Sequence, residues 1–175
     1  MTYRAYLVSH GGCIRANNED NGYLEGQFRE DDGVFSWSCA AVAEGNLLAA
    51  VFDGMGGEEN GEAASRMAAE TMAAMAGEET FAAGGGNARR SGGRFSIRTE
   101  EFVWRAGERI LALAGHSRMG TTYTAVSVEE DTYFFSNLGD SRGYLYRKGC
   151  LTQMTKDHNM VRELYRNGVL TKEQA

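Results

Sequence analysis

The spacing of apolar residues predicts β-strands over the first third of the chain. Short apolar or alternating stretches at residues 4–9, 22–24, 34–43 and 46–52 are typical of strands. The sequence Glu44-Gly45-Asn46 predicts a tight turn that joins the last two strands as a pair. This part of the chain is therefore expected to form antiparallel sheet.

The pattern then changes to a helical period. Over residues 62–75, small and apolar residues recur at helical spacing, and the alanine content favours a helix. The positions expected to share one face are Ala64, Met67 or Ala68, Thr71 and Met75. We interpret the methionines of this segment as core filler instead of cofactor ligands.

A second amphipathic helix is predicted over residues 99–114, with Thr99 as its N-cap and Gly115 as its C-terminal stop. Its expected buried stripe consists of Phe102, Ala106, Ile110 and Leu113. Residues 82–93, between the two helices, are rich in glycine and predict a flexible connection. The pair Arg89-Arg90 in this connection fits a solvated loop better than an anion site.

The last part of the chain returns to strand patterns. Strands are predicted at residues 121–128, 132–138, 142–147 and 151–154, and a short helix is predicted at residues 161–167. The order of strands, two helices and more strands predicts an α+β fold in which helices cover layered sheets. It does not fit alternating βαβ units.

A helix start signal stands at the end of the chain. Thr171-Lys172-Glu173-Gln174 fits a capping box, and the sequence ends at Ala175. A single helical turn is not stable by itself, because helix nucleation is costly. We therefore expect that further residues follow Ala175 in the complete domain.

Composition and charge exclude several classes of protein. With 42% hydrophobic and 24% charged residues, the 175 residues are expected to form one ordered domain. The net charge of −6 argues against nucleic-acid binding. No apolar run reaches the roughly 18–20 residues that a membrane span requires.

The N-terminal residues and the cysteines favour a cytoplasmic location. The start Met1-Thr2-Tyr3-Arg4-Ala5 lacks the layout of a signal peptide. Cys13, Cys39 and Cys150 are widely spaced and form no CxxC pattern. We expect them to be free thiols in a reducing compartment.

The most informative candidate for chemistry is Asp53. The apolar run at residues 47–52 ends on this carboxylate, and Gly54-Met55-Gly56-Gly57 follows. A buried strand that ends in this way holds a carboxylate rigidly at a sheet edge, and the glycines let the backbone approach an ion or a phosphate closely. Three other polar clusters lie at predicted strand ends or in adjoining loops. They are residues 15–21, 139–142 and 155–158.

The acidic residues of these clusters are expected to bind metal ions. Carboxylates that converge at one sheet edge repel one another unless cations neutralise them. Oxygen ligands without a cysteine or histidine cluster select Mg²⁺ or Mn²⁺. Arg15 would then bind a phosphate, because a guanidinium matches phosphate geometry with two hydrogen bonds. The combination predicts metal-assisted phosphoester hydrolysis.

Each cluster also has an ordinary structural explanation when it is taken alone. Glu19 and Asp20 fit a solvated loop, and Gly139-Asp140 fits a hairpin turn. His158 fits a surface or helix-start histidine as well as a ligand or a general acid. The clusters in this order along the chain are more specific than any one of them.

The ordered motifs resemble those of the metal-dependent protein Ser/Thr phosphatases of the 2C type. The resemblance covers essentially the whole chain. The motifs that carry it are Arg15-x-x-Asn18-Glu19-Asp20, Val51-Phe52-Asp53-Gly54-Met55-Gly56-Gly57, Met119-Gly120-Thr121-Thr122, Asn137-Leu138-Gly139-Asp140-Ser141-Arg142 and Thr155-x-Asp157-His158. Met55 followed by two glycines resembles the bacterial form, since other members carry a histidine after the Asp-Gly.

The resemblance implies an α-β-β-α sandwich with two mainly antiparallel sheets and a site for two Mn²⁺ or Mg²⁺ ions. It implies that Asp53 bridges both ions and that the Gly54 carbonyl binds one of them. Glu19 and Asp20 would hold the waters of that ion, and Asp20 would also orient the attacking, metal-activated water. Arg15 would bind the substrate phosphate.

The resemblance also implies elements that this chain carries only in part. Asp140 would belong to a third, weaker metal site, and a flap beside the substrate cleft would begin near residue 155. Family members carry two further metal-binding aspartates after the flap, and nothing up to Ala175 matches them. Residues 1–175 are therefore expected to be the N-terminal portion of a single domain, C-terminally incomplete, with weak or no activity.

Two functions stay open at this point. The first is hydrolysis of phosphoserine and phosphothreonine in proteins, opposite a Ser/Thr kinase. The second is a non-catalytic phosphatase-like fragment or regulator that binds a phosphoprotein or another partner without hydrolysis. Exposed edges of an incomplete domain are also expected to favour self-association.

Overall fold

The computed structural model describes residues 1–32, 34–56, 59–78, 93–129, 132–159, 167–168 and 171. Within this part of the chain the strands and helices follow the predicted order of strands, two helices and more strands, with a short additional strand, β3. In chain order the elements are β1 (Thr2–His10), β2 (Asp20–Leu24), β3 (Gln27–Phe28), β4 (Ser36–Glu44), β5 (Asn46–Met55), α1 (Glu59–Gly77), α2 (Gly93–Ala114), β6 (Gly120–Thr121), β7 (Tyr123–Glu129), β8 (Thr132–Leu138), β9 (Tyr144–Arg147) and β10 (Cys150–Gln153).

A six-stranded antiparallel sheet forms the centre of the fold. Its order is β3-β2-β5-β7-β8, and β6 pairs with the end of β5. Residues of β5 alternate between two cores: Leu47 packs on one face, and Ala50 and Phe52 pack on the other. The strand is covered on both faces, which explains why its sequence is a continuous apolar run.

Strands β1 and β4 form a second sheet, which covers one face of the central sheet. The two strands pair antiparallel along their full lengths. In both strands every second residue is exposed. The intervening residues pack with Leu24, Leu47 and Val128 of the central sheet. The two stacked sheets confirm the predicted layering of antiparallel sheets.

The predicted pairing of residues 34–43 with residues 46–52 is wrong. β4 pairs with β1, whereas β5 pairs with β2 and β7. The turn at Gly45, which has a φ of 82°, carries the chain from one sheet to the other. The exposure pattern gives the reason. β4 alternates and belongs to an outer sheet, whereas β5 is buried on both faces for most of its length and belongs to a central one.

Helix α1 packs against the face of the central sheet opposite β1 and β4. It extends the predicted helix at both ends, and its predicted inner positions Ala64, Ala68, Thr71 and Met75 are buried. Met72 and Met75 lie in the core with Phe52 and Tyr123. The interpretation of the methionines as core filler is therefore confirmed for these two residues.

Helix α2 packs beside α1 on the same face. It begins at Gly93, before the predicted start, and ends at Ala114, directly before the predicted stop Gly115, which has a φ of 55°. Phe102, Ala106 and Ile110 are buried as predicted. Leu113 is 51% exposed, and its place in the predicted stripe is wrong. The residues around it, 111–113, are all exposed.

The β9–β10 hairpin follows the central sheet, close to the predicted strands. The predicted connection at 82–93, the helix at 161–167 and the capping box at 171–174 lie outside the described residues, except for residues 93, 167 and 171. Neither described helix is long and apolar enough to cross a membrane. The described residues thus supply one helical layer and two stacked sheets of the expected sandwich.

Candidate functional site

Asp53 lies at the end of β5, where its backbone is bonded on both sides. Its N–H donates to Thr122 Oγ1 at 3.0 Å, and its carbonyl accepts from the Thr122 N–H at 2.9 Å. Thr121 Oγ1 donates to the same carbonyl at 3.1 Å. The side chain of Asp53 remains exposed to solvent. The predicted rigid carboxylate at a sheet edge is therefore present, and the Thr121-Thr122 motif fixes its backbone.

Asp20 lies directly opposite Asp53 across β2 and β5. Side chains in such an antiparallel pair share one face with Cβ atoms about 4.5–5.5 Å apart. Both residues keep access to solvent. Even so, partial burial raises the pKa of Asp20 above its ordinary value, and the charge of Asp53 and a hydrogen bond between the two carboxyls raise it further. Two acids in this arrangement have an electrostatic reason to bind a cation.

Arg15 lies in the exposed loop between β1 and β2. Its charge counteracts the rise in the pKa of Asp20 that burial and Asp53 cause, so its guanidinium is within electrostatic reach of the acid pair. An exposed guanidinium beside two acids has the chemistry needed to bind an anionic ligand at the same place.

Glu19 is held against the first turns of α1. Its carbonyl accepts hydrogen bonds from Ser65 Oγ at 2.6 Å and from the Gly54 N–H at 3.3 Å. Its carboxylate lies so close to Gly61 that an added Cβ there would be 2.6 Å from Glu19 Oε2. Carboxylates are stabilised near a helix N-terminus. Gly54 and Gly61 therefore lie where the loop before β2, the end of β5 and the start of α1 pack closely together.

Asp140 lies in the turn after β8, between two residues that contact Thr122. The neighbouring Gly139 has a φ of 105°, and a Cβ added to it would lie 2.7 Å from Thr122 Cγ2. Ser141 Oγ is 2.7 Å from Thr122 Oγ1. The Asp140 carboxylate itself is exposed and accepts a 3.5 Å hydrogen bond from Asn159 Nδ2.

An ion pair connects the last two motifs. Arg142 Nε donates to both carboxylate oxygens of Asp157, at 3.0 and 3.1 Å, and Nη2 donates at 2.5 Å. The Asp157 side chain is only 1% exposed. The hydrogen bond between Arg142 and Asp157 is the main cause that raises the pKa of the Arg142 guanidinium above its ordinary value. Asp157 therefore anchors the start of the segment that follows β10, and its neighbour His158 is exposed.

The predicted acidic residues do not all converge. Within the described residues, no three side chains of His, Cys, Asp or Glu form a group that could hold a metal ion. The structure brings Asp20 and Asp53 together, places Glu19 behind them against α1, and leaves Asp140 beside Asn159. The oxygen-only donors of Asp20, Asp53 and the Gly54 carbonyl fit a hard cation such as Mg²⁺ or Mn²⁺.

Sequence reasoning missed the residues that support this site. The Glu19 carboxylate lies against Gly61, and the Glu19 carbonyl accepts a hydrogen bond from Ser65 Oγ. Arg29 is buried beside the same loop. A signal existed for the first two residues. Glycine inside a helix costs about 1 kcal/mol relative to alanine, so Gly61 indicates a close contact, and Ser65 lies one turn further along the same face.

Comparisons with known proteins identify the family. The sequence pattern of the family Protein phosphatase 2C matches residues 6–164. The chain belongs to the protein phosphatase 2C family. This phosphatase 2C chain is 36% identical over 166 residues to the serine/threonine phosphatase stp of Listeria monocytogenes, covering 94% of this chain and 58% of that protein. It is 33% identical over 180 residues to the serine/threonine protein phosphatase PstP of Mycobacterium tuberculosis, covering 29% of PstP.

Solved structures agree with the family. The crystal structure of the Mycobacterium tuberculosis phosphatase PstP/Ppp matches 99% of this phosphatase 2C chain with a TM-score of 0.67 and 30% identity. A structure of the PstP catalytic domain holds two manganese ions. Stp1 from Staphylococcus aureus shares the fold, with a TM-score of 0.70 at 23% identity. The chain spans 62% of the first of these structures and less than two thirds of the curated relatives named above.

Proposed function

We propose that this phosphatase 2C chain contributes to the hydrolysis of phosphoserine and phosphothreonine in proteins, in a reaction that requires divalent cations. The observation that carries the proposal is the pair of carboxylates, Asp20 and Asp53, in register at the end of β5. The Gly54 carbonyl follows Asp53 directly, and the charge of Arg15 acts on Asp20. In such an arrangement the acidic groups can bind a metal ion, and the exposed guanidinium can bind the phosphate beside it.

Asp53 and the Gly54 carbonyl would hold Mn²⁺ or Mg²⁺, and Glu19 and Asp20 would hold the waters of the same ion. Asp140 would contribute to a further, weaker site. Bound divalent cations supply charge neutralisation at the phosphate and lower the pKa of a coordinated water.

The side chains of this chain would then position the reactants. The Arg15 guanidinium would bind the equatorial oxygens of the substrate phosphate, where negative charge spreads during transfer. The Asp20 carboxylate would accept a hydrogen bond from the attacking water and so aim it at phosphorus. The hydrogen bonds from Thr122 to the Asp53 backbone would keep the Asp53 carboxylate in place during the reaction.

The substrate class implies a protein Ser/Thr kinase as the opposing enzyme. The described cysteines are all free thiols, and Cys13 and Cys150 are exposed. Exposed thiols persist in reducing compartments, which supports the proposed cytoplasmic location.

Removal of divalent cations is the direct test of the proposed chemistry. The 175-residue chain with Mn²⁺ is expected to hydrolyse p-nitrophenyl phosphate on the order of 100-fold more slowly than the PstP catalytic domain, because nothing in these 175 residues matches the two further metal-binding aspartates that the resemblance implies. EDTA should abolish the remaining turnover. Turnover equal to that of PstP would contradict the proposed weakness, and EDTA-resistant turnover would contradict the metal requirement.

A second function is favoured by the observation that, in the described residues, no three side chains of His, Cys, Asp or Glu form a group that could hold a metal ion. In this alternative the chain binds a phosphoprotein or a regulator without hydrolysing it. Calorimetry with Mn²⁺ distinguishes the two functions, since catalysis requires tight cation binding. One weak site or none, together with binding of a phosphothreonine peptide, would support the alternative.

We also propose that the chain self-associates. β8 is an edge of the central sheet, and the outer face of β1 and β4 exposes Tyr6, Val8 and Val42 by 76%, 73% and 69%. Unprotected edges and exposed apolar faces favour association. Light scattering should show particles larger than a monomer, and Val8→Lys should reduce them. A clean monomer at all concentrations would rule this out.

A further inference from the structure

Arg29 is a buried cation close to the proposed site. The residue is 2% exposed and follows the short strand β3. Within the described part of the chain it forms no ion pair, and its Nε has no hydrogen-bond partner. A buried charge without a paired carboxylate is unfavourable for stability. Such exceptions to good packing are expected at functional sites.

The guanidinium of Arg29 bridges two loops through backbone carbonyls. Nη2 donates to the Asn18 carbonyl at 3.0 Å, and Nη1 donates to the Val34 carbonyl at 2.8 Å. The Arg29 backbone also pairs with the Asn21 side chain, which donates to its carbonyl at 2.9 Å and accepts from its N–H at 3.2 Å. Arg29 therefore contacts both residues that flank Glu19-Asp20.

Asn18 connects Arg29 to Asp20 through hydrogen bonds. Its side chain is buried, donates to Ser9 Oγ at 2.9 Å and to the Phe35 carbonyl at 3.2 Å, and accepts from the Asp20 N–H at 3.2 Å. The carbonyl of the same residue is the one that Arg29 binds. A continuous set of hydrogen bonds thus runs from the Arg29 guanidinium to the backbone of Asp20.

The charge of Arg29 also acts on Asp20. It opposes the rise in the pKa of Asp20 that burial and Asp53 cause. Arg29 is buried and Arg15 is exposed, so the two cations differ in what they can bind. Arg15 can contact a ligand from solvent, whereas Arg29 can act only through the protein.

We infer that Arg29 is a positioning residue that holds the backbone of residues 18–20 and keeps Asp20 beside Asp53 before any cation binds. The inference rests on the proposed function for its consequence in catalysis. Arg29 touches neither substrate nor metal in this role. By binding the loop end, Arg29 would fix the position of the Asp20 carboxylate.

Charge and positioning predict opposite effects on cation affinity. If Arg29 acted only as a nearby positive charge, its removal would strengthen Mn²⁺ binding. If Arg29 holds the loop, both Arg29→Met and Arg29→Lys should weaken Mn²⁺ binding, since lysine keeps the charge but lacks the planar fork that reaches two carbonyls. Supporting residues around metal ligands typically contribute about 10–100-fold in affinity.

Amide hydrogen exchange on the metal-free chain measures the positioning directly. In Arg29→Met and Arg29→Lys, the Asp20 and Gly54 amides should exchange at least about 10-fold faster relative to the Ala125 amide in β7. Arg66→Met is the matched control, because Arg66 pairs with Asp32 and Glu70 on the outside of α1. It should leave this ratio unchanged. Equal acceleration at all three amides, or none, would overturn the inference.

Calorimetry with Mn²⁺ completes the experiment at a temperature where every variant is folded. Affinity at least about 10-fold weaker in both Arg29 variants, and unchanged in Arg66→Met, is the expected result. Tighter binding in Arg29→Met would show an effect of charge alone and would refute positioning. If the unaltered chain binds no Mn²⁺, the proposed function fails, and the exchange ratio still decides on Arg29. If Arg29→Met does not fold, Arg29→Lys decides both measurements.

Discussion

Asp53→Asn is expected to reduce Mn²⁺-dependent turnover of p-nitrophenyl phosphate by about 10³-fold or more. The substitution removes the charge that would hold a cation and keeps the shape of the side chain. A loss of this size corresponds to about 4 kcal/mol in the activation barrier, which is within what a metal contributes. Turnover is measured on the 175-residue chain and on the longest natural form of the protein, and Mn²⁺ binding is measured by calorimetry.

The fold should survive this substitution. Thr121 and Thr122 bind the backbone of Asp53 and not its carboxylate. Removal of one of two opposed negative charges should keep or slightly raise the melting temperature, because like charges directly opposite are destabilising. Asp32→Asn is the matched control, since it makes the same chemical change in an exposed pair with Arg66. Normal turnover in Asp53→Asn would refute the metal assignment.

Gly54→Ala is expected to destabilise the fold strongly. An added Cβ would lie 2.1 Å from the Gly61 carbonyl oxygen and 2.6 Å from that of Glu19. Both are backbone atoms, so relief requires a shift of helix α1 or of the loop before β2. Overpacking of this kind costs about 3 kcal/mol or more. For a chain of this length the melting temperature should fall by about 6–12 °C, measured by circular dichroism.

A matched glycine provides the control for this prediction. An added Cβ at Gly107, within α2, would meet nothing within 4 Å. Gly107→Ala should therefore stabilise the protein by about 0.5–1 kcal/mol through helix propensity. If Gly54→Ala melts like the unaltered chain, the crossing of β5, α1 and the Glu19 loop is not as close as described.

Much of the fold follows from local patterns in the sequence. The apolar run before Asp53 predicts a buried strand, because a strand that is covered on both faces has no polar alternation, and β5 is covered in this way. The alanine-rich segment predicts α1 because its small residues recur on one face. Local patterns do not select strand partners. For this reason the predicted β4–β5 pair is wrong, although both strands exist close to their predicted positions.

The candidate site is also predicted only in part by local sequence patterns. The motifs identify Asp20, Asp53 and Asp140 as candidates because each lies at a strand end or in the adjoining loop. The contacts of Gly61 with Glu19 and of Arg142 with Asp157 depend on elements that are distant in sequence. Arg29 follows no recognisable pattern, since an arginine after a short strand is usually exposed.

The sequence by itself determined the strand that ends on Asp53, the two helices, the α+β class and the resemblance to the 2C-type phosphatases. Each of these depends on residue types at short spacing, which a linear pattern records. Only the tertiary structure decided that Asp20 lies in register with Asp53, that Asp140 accepts a hydrogen bond from Asn159, and that a buried Arg29 donates to the Asn18 carbonyl. Register and burial arise when distant segments pack together, and neither property is contained in a local pattern.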